Sequence, residues 1–364
     1  MAKVIGVITC NYTSTEKDFT TSERPIAAAP YAGRYRVLDF PLSNMINAGI
    51  RTVGVIMPQN YRALADHLGA GKEWGLDRKN GGLFYLPGTA FGTARVGARF
   101  LIRDLIDNKA MLTRSTDGYV VFSSANIIFN ADIAKLVDYH IANGADITAL
   151  TKIANEDDVD VVAFDEKGGI VKGMKYGVKE GELAFLDTFV IKRSLLLDML
   201  DWYAASDHLD LFEAIFSNSV PVTIKTAPYE GYCAAIFNKT SYFRANMDML
   251  NPEIANAVFP TGRYIKTKTH DTPPAKLETG SKVTKSLVSA GSRIYGEVSG
   301  SVLGRNVIVE PGAKVSNSVI MQGTVVKSGA EVEYAIVDRN NVIPAGTVIK
   351  GTADDIFAKD KARD

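Results

Sequence analysis

Short apolar runs alternate with longer amphipathic segments over the first 250 residues of the chain. Three of the runs are rich in β-branched residues and predict strands at 4–9, 53–57 and 119–122. Strands that alternate with helices favour an α/β domain built on a mixed, mostly parallel sheet with helices on both faces. Ligands of such sheets bind at the carboxyl ends of the strands, so the loops that follow these three runs are the informative places.

Two of the amphipathic segments carry clear start and stop signals. Asn60 is placed to cap a helix that ends near Gly69, and Asp132 is placed to cap another that ends near Gly144. Both predicted helices therefore have a polar cap at the amino end and a glycine at the carboxyl end.

The pattern changes after Lys276, where Val, Ile, Gly, Ser and Asn dominate and helix formers become rare. Apolar residues recur there at about every sixth position, at Val326, Val332, Val337, Val342 and Val348. A six-residue period is typical of a parallel β-helix, in which the aliphatic residues point inward and stack from coil to coil. We predict a left-handed parallel β-helix, since the alternative of a β-sandwich requires longer runs of alternating polar and apolar residues.

These patterns divide the chain into four parts. Residues 1–250 form the α/β domain, and residues 251–275, which contain four prolines and lose the regular pattern, form a linker. The β-helix is expected over 276–351, and residues 352–364 are expected to form a carboxyl-terminal tail.

Composition narrows the class of protein. The 364 residues carry 41 basic and 41 acidic side chains, which argues against a nucleic-acid partner and against an electrostatic membrane anchor. Met1 leads directly into the first predicted strand, so we expect no leader peptide and a cytoplasmic location. Cys10 and Cys233 are too few for a disulfide framework or a zinc site, and each is interpreted as a small buried side chain.

Three long strings in the chain identify a resemblance. GRYRVLDFPLSN at 33–44, continued by NAGI at 47–50, is similar to a string of the bacterial glucose-1-phosphate adenylyltransferases (ADP-glucose pyrophosphorylases). WGLDRKNGG at 74–82 and YFRAN at 242–246 resemble two further strings of that family. The resemblance covers essentially the whole chain and implies a Rossmann-like nucleotidyltransferase domain followed by the β-helix. The family converts ATP and glucose 1-phosphate to ADP-glucose and pyrophosphate for glycogen synthesis.

The residues that this chemistry requires are absent from the matching positions. The family has a glycine-rich phosphate loop after the first strand, whereas this chain has no glycine between Val7 and Ala32. The two aspartates that hold the metal in the family correspond to Ala125 and Ala235. The string that carries the sugar-phosphate lysine has no good counterpart between Lys175 and Lys179. An alanine side chain has no ligand for a cation, and losing a single preorganised electrostatic contact typically costs about 10²–10³ in rate.

Three losses at independent positions favour a non-catalytic chain that resembles regulatory partner subunits of the GlgD type. Such a subunit would associate with a catalytic ADP-glucose pyrophosphorylase homologue, and we expect the complex to be a heterotetramer. The regulatory subunit would itself need no cofactor. One alternative is an active adenylyltransferase in which Asn126 or Asp132 holds Mg²⁺. The other is a stand-alone sugar-phosphate sensor.

Two retained features remain to be explained. The resemblance places Arg34, Arg36 and Arg51 as candidates for a cluster that binds an anionic sugar-phosphate effector, and the alternative is that Arg36 pairs with Asp39 in a structural bridge. The retained loop is interpreted as a subunit interface or as a residual part of the nucleotide cleft; it comprises Asp77, Arg78, Lys79, Asn80, Gly81 and Gly82. The four histidines show no ligand spacing, and none follows His270 as a base for acyl transfer on the β-helix.

Overall fold

The computed structural model describes residues 3–11, 24–88, 99–156, 161–205, 207–217 and 221–361. In these residues the α/β domain contains the strands β1 (Val4–Thr9), β2 (Pro30–Tyr31), β3 (Tyr35–Arg36), β4 (Thr52–Met57), β5 (Gly82–Pro87), β6 (Tyr119–Ser124), β7 (Ile127–Phe129), β8 (Ile147–Ile153), β9 (Val162–Lys167), β10 (Ile170–Tyr176), β11 (Leu183–Lys192), β12 (Ile224–Pro228) and β13 (Cys233–Ala235). Its helices are α1 (Asp39–Asn47), α2 (Arg62–Leu68), α3 (Ile102–Asp107), α4 (Lys109–Arg114), α5 (Ile133–Asn143), α6 (Arg193–Trp202), α7 (Leu211–Ser217), α8 (Lys239–Asp248) and α9 (Pro252–Val258).

The main sheet has the order β10-β9-β11-β6-β1-β4-β5, and β8 pairs with both β11 and β12. β6, β1, β4 and β5 run parallel, while β11 runs antiparallel to β6 and to β8. One face is covered by α1, α2 and α5, and the other by α3, α4, α6 and α7. The predicted mixed, mostly parallel sheet with helices on both faces is therefore confirmed.

Helix α5 begins as the sequence predicts. The Asp132 side chain accepts a hydrogen bond from the Lys135 backbone N–H at 3.1 Å, and Gly144 ends the helix in the left-handed conformation. His140, Ile133 and Leu136 are buried along the face that packs on the sheet.

We expect Asp132→Ala to lower the free energy of unfolding by about 1 kcal/mol, because the Lys135 N–H at the helix start loses its acceptor. Chemical denaturation measures the loss. Asp132→Asn is the matched control, since its side-chain oxygen keeps the cap and should preserve most of the stability. Equal losses in the two variants would show that the cap is not the cause.

The second part is a left-handed parallel β-helix with three flat sheets. The first sheet contains β14 (Lys276–Leu277), β17 (Arg293–Ile294), β20 (Ile308–Val309), β23 (Val325–Val326) and β26 (Val342–Ile343). The second contains β15 (Lys282–Thr284), β18 (Glu297–Ser299), β21 (Lys314–Ser316), β24 (Glu331–Glu333) and β27 (Val348–Lys350). The third contains β16 (Leu287–Val288), β19 (Val302–Leu303), β22 (Val319–Ile320), β25 (Ala335–Val337) and β28 (Phe357–Lys359).

The inward residues of the last coil differ from the prediction. Val326, Val332 and Val337 are buried, but Val342 and Val348 are 55% and 64% exposed. Ile343 and Ile349 point inward instead and stack on Val326 and Val332. Successive side chains of a strand point to opposite faces, so a shift of one residue after Val337 reverses which residue is inside.

Two boundaries also differ from those expected. The segment at 251–275 contains helix α9, whose amino end is capped by the Asn251 side chain, so it is not a linker throughout. Residues 357–359 of the expected tail form β28, which pairs in parallel with β25 and completes the third sheet. Within the described residues, no helix is both long and apolar enough to cross a membrane.

The two parts are packed closely together. A Cβ atom at Gly33 would lie 2.2 Å from Ser289 Oγ and 2.8 Å from the Leu303 carbonyl oxygen, so only glycine fits between the parts at this point. Gly33 also has a φ of +72°, which favours glycine. Arg24 Nη2 lies 2.6 Å from Asp338 Oδ1 of the β-helix, and both side chains are buried.

Candidate functional site

Ala125 lies at the carboxyl ends of β1 and β6, where a nucleotide would bind in this type of sheet. Its backbone N–H donates to the Thr9 carbonyl at 2.9 Å, and the residue is 1% exposed. The methyl group belongs to the apolar core that α1, α2 and α5 form with the sheet. The position that matches a metal aspartate of the family therefore contributes to the packing of the core.

Ala235 is brought to the same place by a short hairpin-like pair of strands. β13 pairs antiparallel with β7, with Ala235 opposite Ile127, and the Ile236 N–H donates to the Asn126 carbonyl at 2.8 Å. Ala235 is half-buried and packs against the cluster that contains Ala125. The two positions selected from the sequence are thus neighbours at one end of the sheet.

The residues at this place do not fit a magnesium ion, which requires oxygen ligands. Ala125 and Ala235 have no oxygen in their side chains, and the two substitute ligands considered are already engaged. Asn126 is fully buried and its Oδ1 accepts a 2.5 Å hydrogen bond from Ser124 Oγ, whereas Asp132 caps helix α5. In the part of the chain that the structure describes, no group of three or more His, Cys, Asp or Glu side chains is arranged for a metal.

The expected phosphate loop lies mostly at 12–23, which is outside the described residues. Cys10 and Asn11 are the described residues of that segment. The Asn11 amide donates to the buried Asp104 carboxylate, and burial raises the pKa of the Cys10 thiol well above its usual range. Cys10 and Cys233 are both buried and neither forms a disulfide, as predicted.

A second site lies where the α/β domain meets the β-helix. A cavity of about 120 Å³ is lined there by β3, helix α2, the segment after α9 and two coils of the β-helix. Its basic and histidine lining comprises Arg34, Arg36, His67, Lys268, His270 and Arg305. Asp66 is the acidic residue of the lining, and its backbone carbonyl accepts from Lys268 Nζ at 2.7 Å.

The positive groups of this interdomain cavity affect one another. Burial is the main cause that lowers the pKa of Arg36, to about 10, and the nearby guanidinium groups of Arg24 and Arg339 lower it further. Burial and the neighbouring Arg34 lower the pKa of Arg305. Burial is the largest cause of both shifts, and the Asp39 carboxylate opposes them only in part. These guanidinium groups have lost part of their hydration, so an anion bound in the cavity is electrostatically favoured.

The pKa of His270 is also affected by the positive charges around the cavity. Burial lowers the pKa of His270, and so do Arg305, Lys268, His67 and Arg36. The Arg305 side chain is held in the cavity because its Nη2 donates to the Arg34 carbonyl at 3.0 Å. The Arg34 guanidinium lies 5.1 Å from the centre of the Tyr35 ring.

The structure separates the three predicted arginines. Arg34 and Arg36 line the interdomain cavity, but Arg51 donates to the carbonyls of Ile46 and Ile50 at the end of helix α1. Those two bonds give Arg51 a structural role, since cations stabilise the carboxyl end of a helix.

The predicted bridge between Arg36 and Asp39 is formed through the backbone. Asp39 Oδ2 accepts the Arg36 backbone N–H at 2.8 Å, and Asp39 Oδ1 lies 2.6 Å from His67 Nε2. The Arg36 guanidinium donates to the Ala28 carbonyl instead. Its charge therefore remains available to an anion in the cavity.

The retained loop at 77–82 lies away from both sites. Gly82 pairs with Thr52, so the loop lies at the amino ends of β4 and β5, opposite the end of the sheet that carries Ala125. The Gly82 N–H donates to the Arg51 carbonyl at 2.8 Å, and Asp77, Arg78, Lys79, Asn80 and Gly81 are exposed. This placement does not support residual contact with a nucleotide in the cleft.

The other retained strings anchor the interdomain junction. Asn246 Oδ1 accepts the Ala32 N–H at 3.0 Å, and the Tyr31 hydroxyl donates to the Ala245 carbonyl at 3.0 Å. Helix α8 thereby holds the turn before Gly33, which explains why the string at 242–246 and the string at 33–44 occur together.

Sequence reasoning missed four residues of the interdomain cavity. His67, Lys268, His270 and Arg305 come from parts of the chain that are remote from Arg34, and only the fold brings them together. The available signal was weak, because isolated basic residues in an irregular segment or on a β-helix turn are usually solvated.

Two family models match the chain. A model described as nucleotidyl transferase matches residues 20–173, and one described as GlmU-like, C-terminal hexapeptide matches residues 273–358. These matches agree with the two parts of the fold.

The chain is also similar to curated bacterial proteins along most of its length. It is 32% identical to the glycogen biosynthesis protein GlgD of Bacillus subtilis (strain 168), over 86% of this chain and 82% of the relative. GlgD of Geobacillus stearothermophilus is 32% identical over 86% and 83%, and the glucose-1-phosphate adenylyltransferase of Thermosipho melanesiensis is 29% identical over 86% and 77%. From this similarity along both parts of the fold, the chain belongs to the family of bacterial glucose-1-phosphate adenylyltransferases and GlgD glycogen biosynthesis proteins.

Proposed function

We propose that this chain is a regulatory, non-catalytic subunit of glucose-1-phosphate adenylyltransferase in glycogen biosynthesis. It associates with a catalytic homologue, in a hetero-oligomer that we expect to be a tetramer, and tunes the synthesis of ADP-glucose. The observation that carries the proposal is the pair of methyl groups at Ala125 and Ala235. Both lie at the substrate end of the sheet, and neither offers a ligand to a cation.

The regulatory part of the proposal rests on the interdomain cavity. Four basic side chains, Arg34, Arg36, Lys268 and Arg305, converge there with two histidines, His67 and His270. Burial, followed by the neighbouring positive charges, lowers the pKa values of Arg36, His270 and Arg305. A phosphate group is the ligand that best complements such a set, because guanidinium groups bind phosphate oxygens with charge-assisted hydrogen bonds. We therefore propose an anionic sugar phosphate as the effector.

The catalytic status is tested with the purified chain alone. We expect no pyrophosphate above background when it is incubated with ATP, glucose 1-phosphate and Mg²⁺, because Ala125 and Ala235 offer no carboxylate to position the metal. The catalytic homologue, assayed in parallel, is the positive control, and a mixture of the two tests whether the chain changes the rate or its response to sugar phosphates. Turnover by the chain alone within tenfold of about 10 s⁻¹, a median enzyme value, would establish the active alternative instead.

Association is tested by co-expression of the two chains. A stable mixed oligomer in size-exclusion chromatography with light scattering supports the regulatory subunit. Sugar-phosphate binding without any association would favour the stand-alone sensor.

A further inference from the structure

His270 lies in the segment that joins helix α9 to the β-helix, and the α/β domain holds this segment just before the histidine. Lys268 Nζ donates to the Asp66 carbonyl of helix α2 at 2.7 Å. The Thr269 hydroxyl donates to Glu73 Oε1 at 2.8 Å. These two bonds fix the course of the chain on either side of one peptide group, and the His270 side chain that follows lines the interdomain cavity.

The charged groups around the His270 imidazole are mostly positive, and they come from every element that borders the cavity. Lys268 lies on its own segment, Arg36 on β3, His67 on helix α2 and Arg305 on the β-helix. Partial burial lowers the pKa of His270 most, and these four residues lower it further. Without a bound anion, the cavity therefore favours the neutral imidazole.

No carboxylate is bonded to the His270 imidazole among the residues that the structure describes. Asp39 is already engaged, because its Oδ1 lies 2.6 Å from His67 Nε2 and its Oδ2 accepts the Arg36 backbone N–H at 2.8 Å. The other acidic residues of the adjoining segments are Asp66, Glu73 and Asp271.

His270 is therefore the group of the cavity that an incoming anion affects most. Lysine and arginine side chains stay charged near neutral pH, so they bind an anion without exchanging a proton. His67 already has the Asp39 carboxylate beside it. An imidazole titrates near physiological pH, and the negative charge of a bound anion would offset the positive neighbours that disfavour its protonated form.

We propose that the interdomain cavity takes up an anion and a proton together, the proton passing from solvent to the His270 imidazole, so that the chain binds its phosphorylated effector more tightly as the pH falls. The inference rests on the proposed effector site and adds its regulation. The same cavity responds both to the concentration of a metabolite and to acidity.

Thermodynamic linkage fixes the direction of the effect. The affinity is lowest above the pKa that His270 has in the complex, because binding there takes up no proton. It rises as the pH falls towards the lower pKa of the free chain, and it is constant below that value. One linked proton changes the affinity by at most about tenfold per pH unit.

The experiment titrates the purified chain with sodium sulfate at about pH 6 and at about pH 8, on either side of the ordinary pKa of an imidazole. Sulfate stays dianionic over this range, whereas a phosphate ester has a second ionisation at about pH 6 that would obscure the result. Sodium chloride at matched ionic strength is the blank. We expect the wild-type chain to bind sulfate about 3- to 30-fold more tightly at the lower pH.

Two substitutions fix the charge at this position. His270→Asn takes up no proton, so it should bind sulfate at both pH values about as weakly as the wild-type chain does at the higher one. His270→Lys carries a permanent charge and should bind tightly at both. The side chain is exposed, so we expect both variants to fold, and thermal unfolding checks this.

Proton NMR of the imidazole groups locates the proton. Sulfate should raise the pKa of His270 towards or above its ordinary value. The chain contains four histidines, and His140 and His208 lie outside the cavity lining. Their signals are internal controls and should not respond to sulfate.

An equal pH dependence in the wild-type chain and in His270→Asn would overturn the inference, and so would a His270 pKa that does not rise with sulfate. Either result leaves the cavity as an anion site. A wild-type chain that binds no sulfate at either pH would overturn the effector site together with this inference. The proposed subunit function is judged separately, by the turnover of the chain alone and by its association with the catalytic homologue.

Discussion

Replacing Asp338 with alanine should destabilise the chain by about 3–5 kcal/mol, the usual cost of breaking a buried ion pair by removing one partner. The Arg24 guanidinium would remain between the α/β domain and the β-helix without its carboxylate, with Met321 Sδ as a weak neighbour at 3.5 Å. The Arg339 N–H would also lose its 2.6 Å bond to Asp338 Oδ1. Chemical denaturation, with the urea dependence checked for a change in cooperativity, measures the loss.

Two further variants separate charge from packing. Arg24→Met with Asp338→Leu removes both charges at once and should recover much of the stability, because neither ion is left buried. Glu331→Gln removes one partner of the exposed Lys314–Glu331 pair of the β-helix and should leave the midpoint unchanged. A loss below about 1 kcal/mol in Asp338→Ala would mean that water reaches Arg24 and that the pair does not join the two parts.

Replacing Arg305 with alanine should weaken binding of a sugar bisphosphate about 10- to 100-fold. The change removes one charged donor from the interdomain cavity, and a hydrogen bond to a charged group contributes about 1.5–3 kcal/mol. Titration calorimetry with fructose 1,6-bisphosphate as the probe measures the affinity. In a mixed oligomer with the catalytic homologue, the same substitution should reduce the response of ADP-glucose synthesis to that probe.

Two other arginines provide the controls for this prediction. Arg293→Ala removes an exposed arginine of the β-helix outside the cavity lining, and Arg51→Ala removes the arginine that hydrogen-bonds at the end of helix α1. Neither change should alter the affinity for the probe. If Arg51→Ala weakened binding as much as Arg305→Ala, the cluster suggested by the sequence would be correct and the cavity would be the wrong site.

Much of the fold could be predicted because its signals are local. Buried parallel strands need continuous apolar runs, and helix ends need capping groups, so β1, β4, β6 and the ends of α5 follow from short stretches of sequence. The six-residue period likewise reveals the β-helix, because every coil repeats the same inward positions.

The sequence-based prediction was wrong at positions where the local pattern is compatible with two structures. In the last coil both Val342 and Ile343 are apolar, so periodicity alone does not determine which one is inside. The strand at 357–359 was assigned to the tail because its pairing with β25 depends on residues some twenty positions away. Register and end effects of this kind are set by the completed coil.

For the candidate sites, too, residues in a continuous stretch of sequence were predictable and residues brought together only by the fold were not. Ala125 and Ala235 were located from ordered strings of sequence, and the structure places them side by side as neighbours at one end of the sheet. Arg305 and Lys268 could not be linked to Arg34, because no short-range pattern connects residues that lie more than 200 positions apart.

The junction at Gly33 has one more consequence. The close contact at Gly33 brings together surfaces of the α/β domain and the β-helix that are both positively charged. Arg34 and Arg36 lie on the α/β side and Arg305 on the β-helix side. Dissolved ions screen the repulsion across this seam, with a Debye length of about 8 Å at physiological ionic strength. Low ionic strength should therefore weaken the contact between the α/β domain and the β-helix, and high ionic strength should strengthen it. Salt concentration thus acts on the same interface that a bound sugar phosphate would bridge.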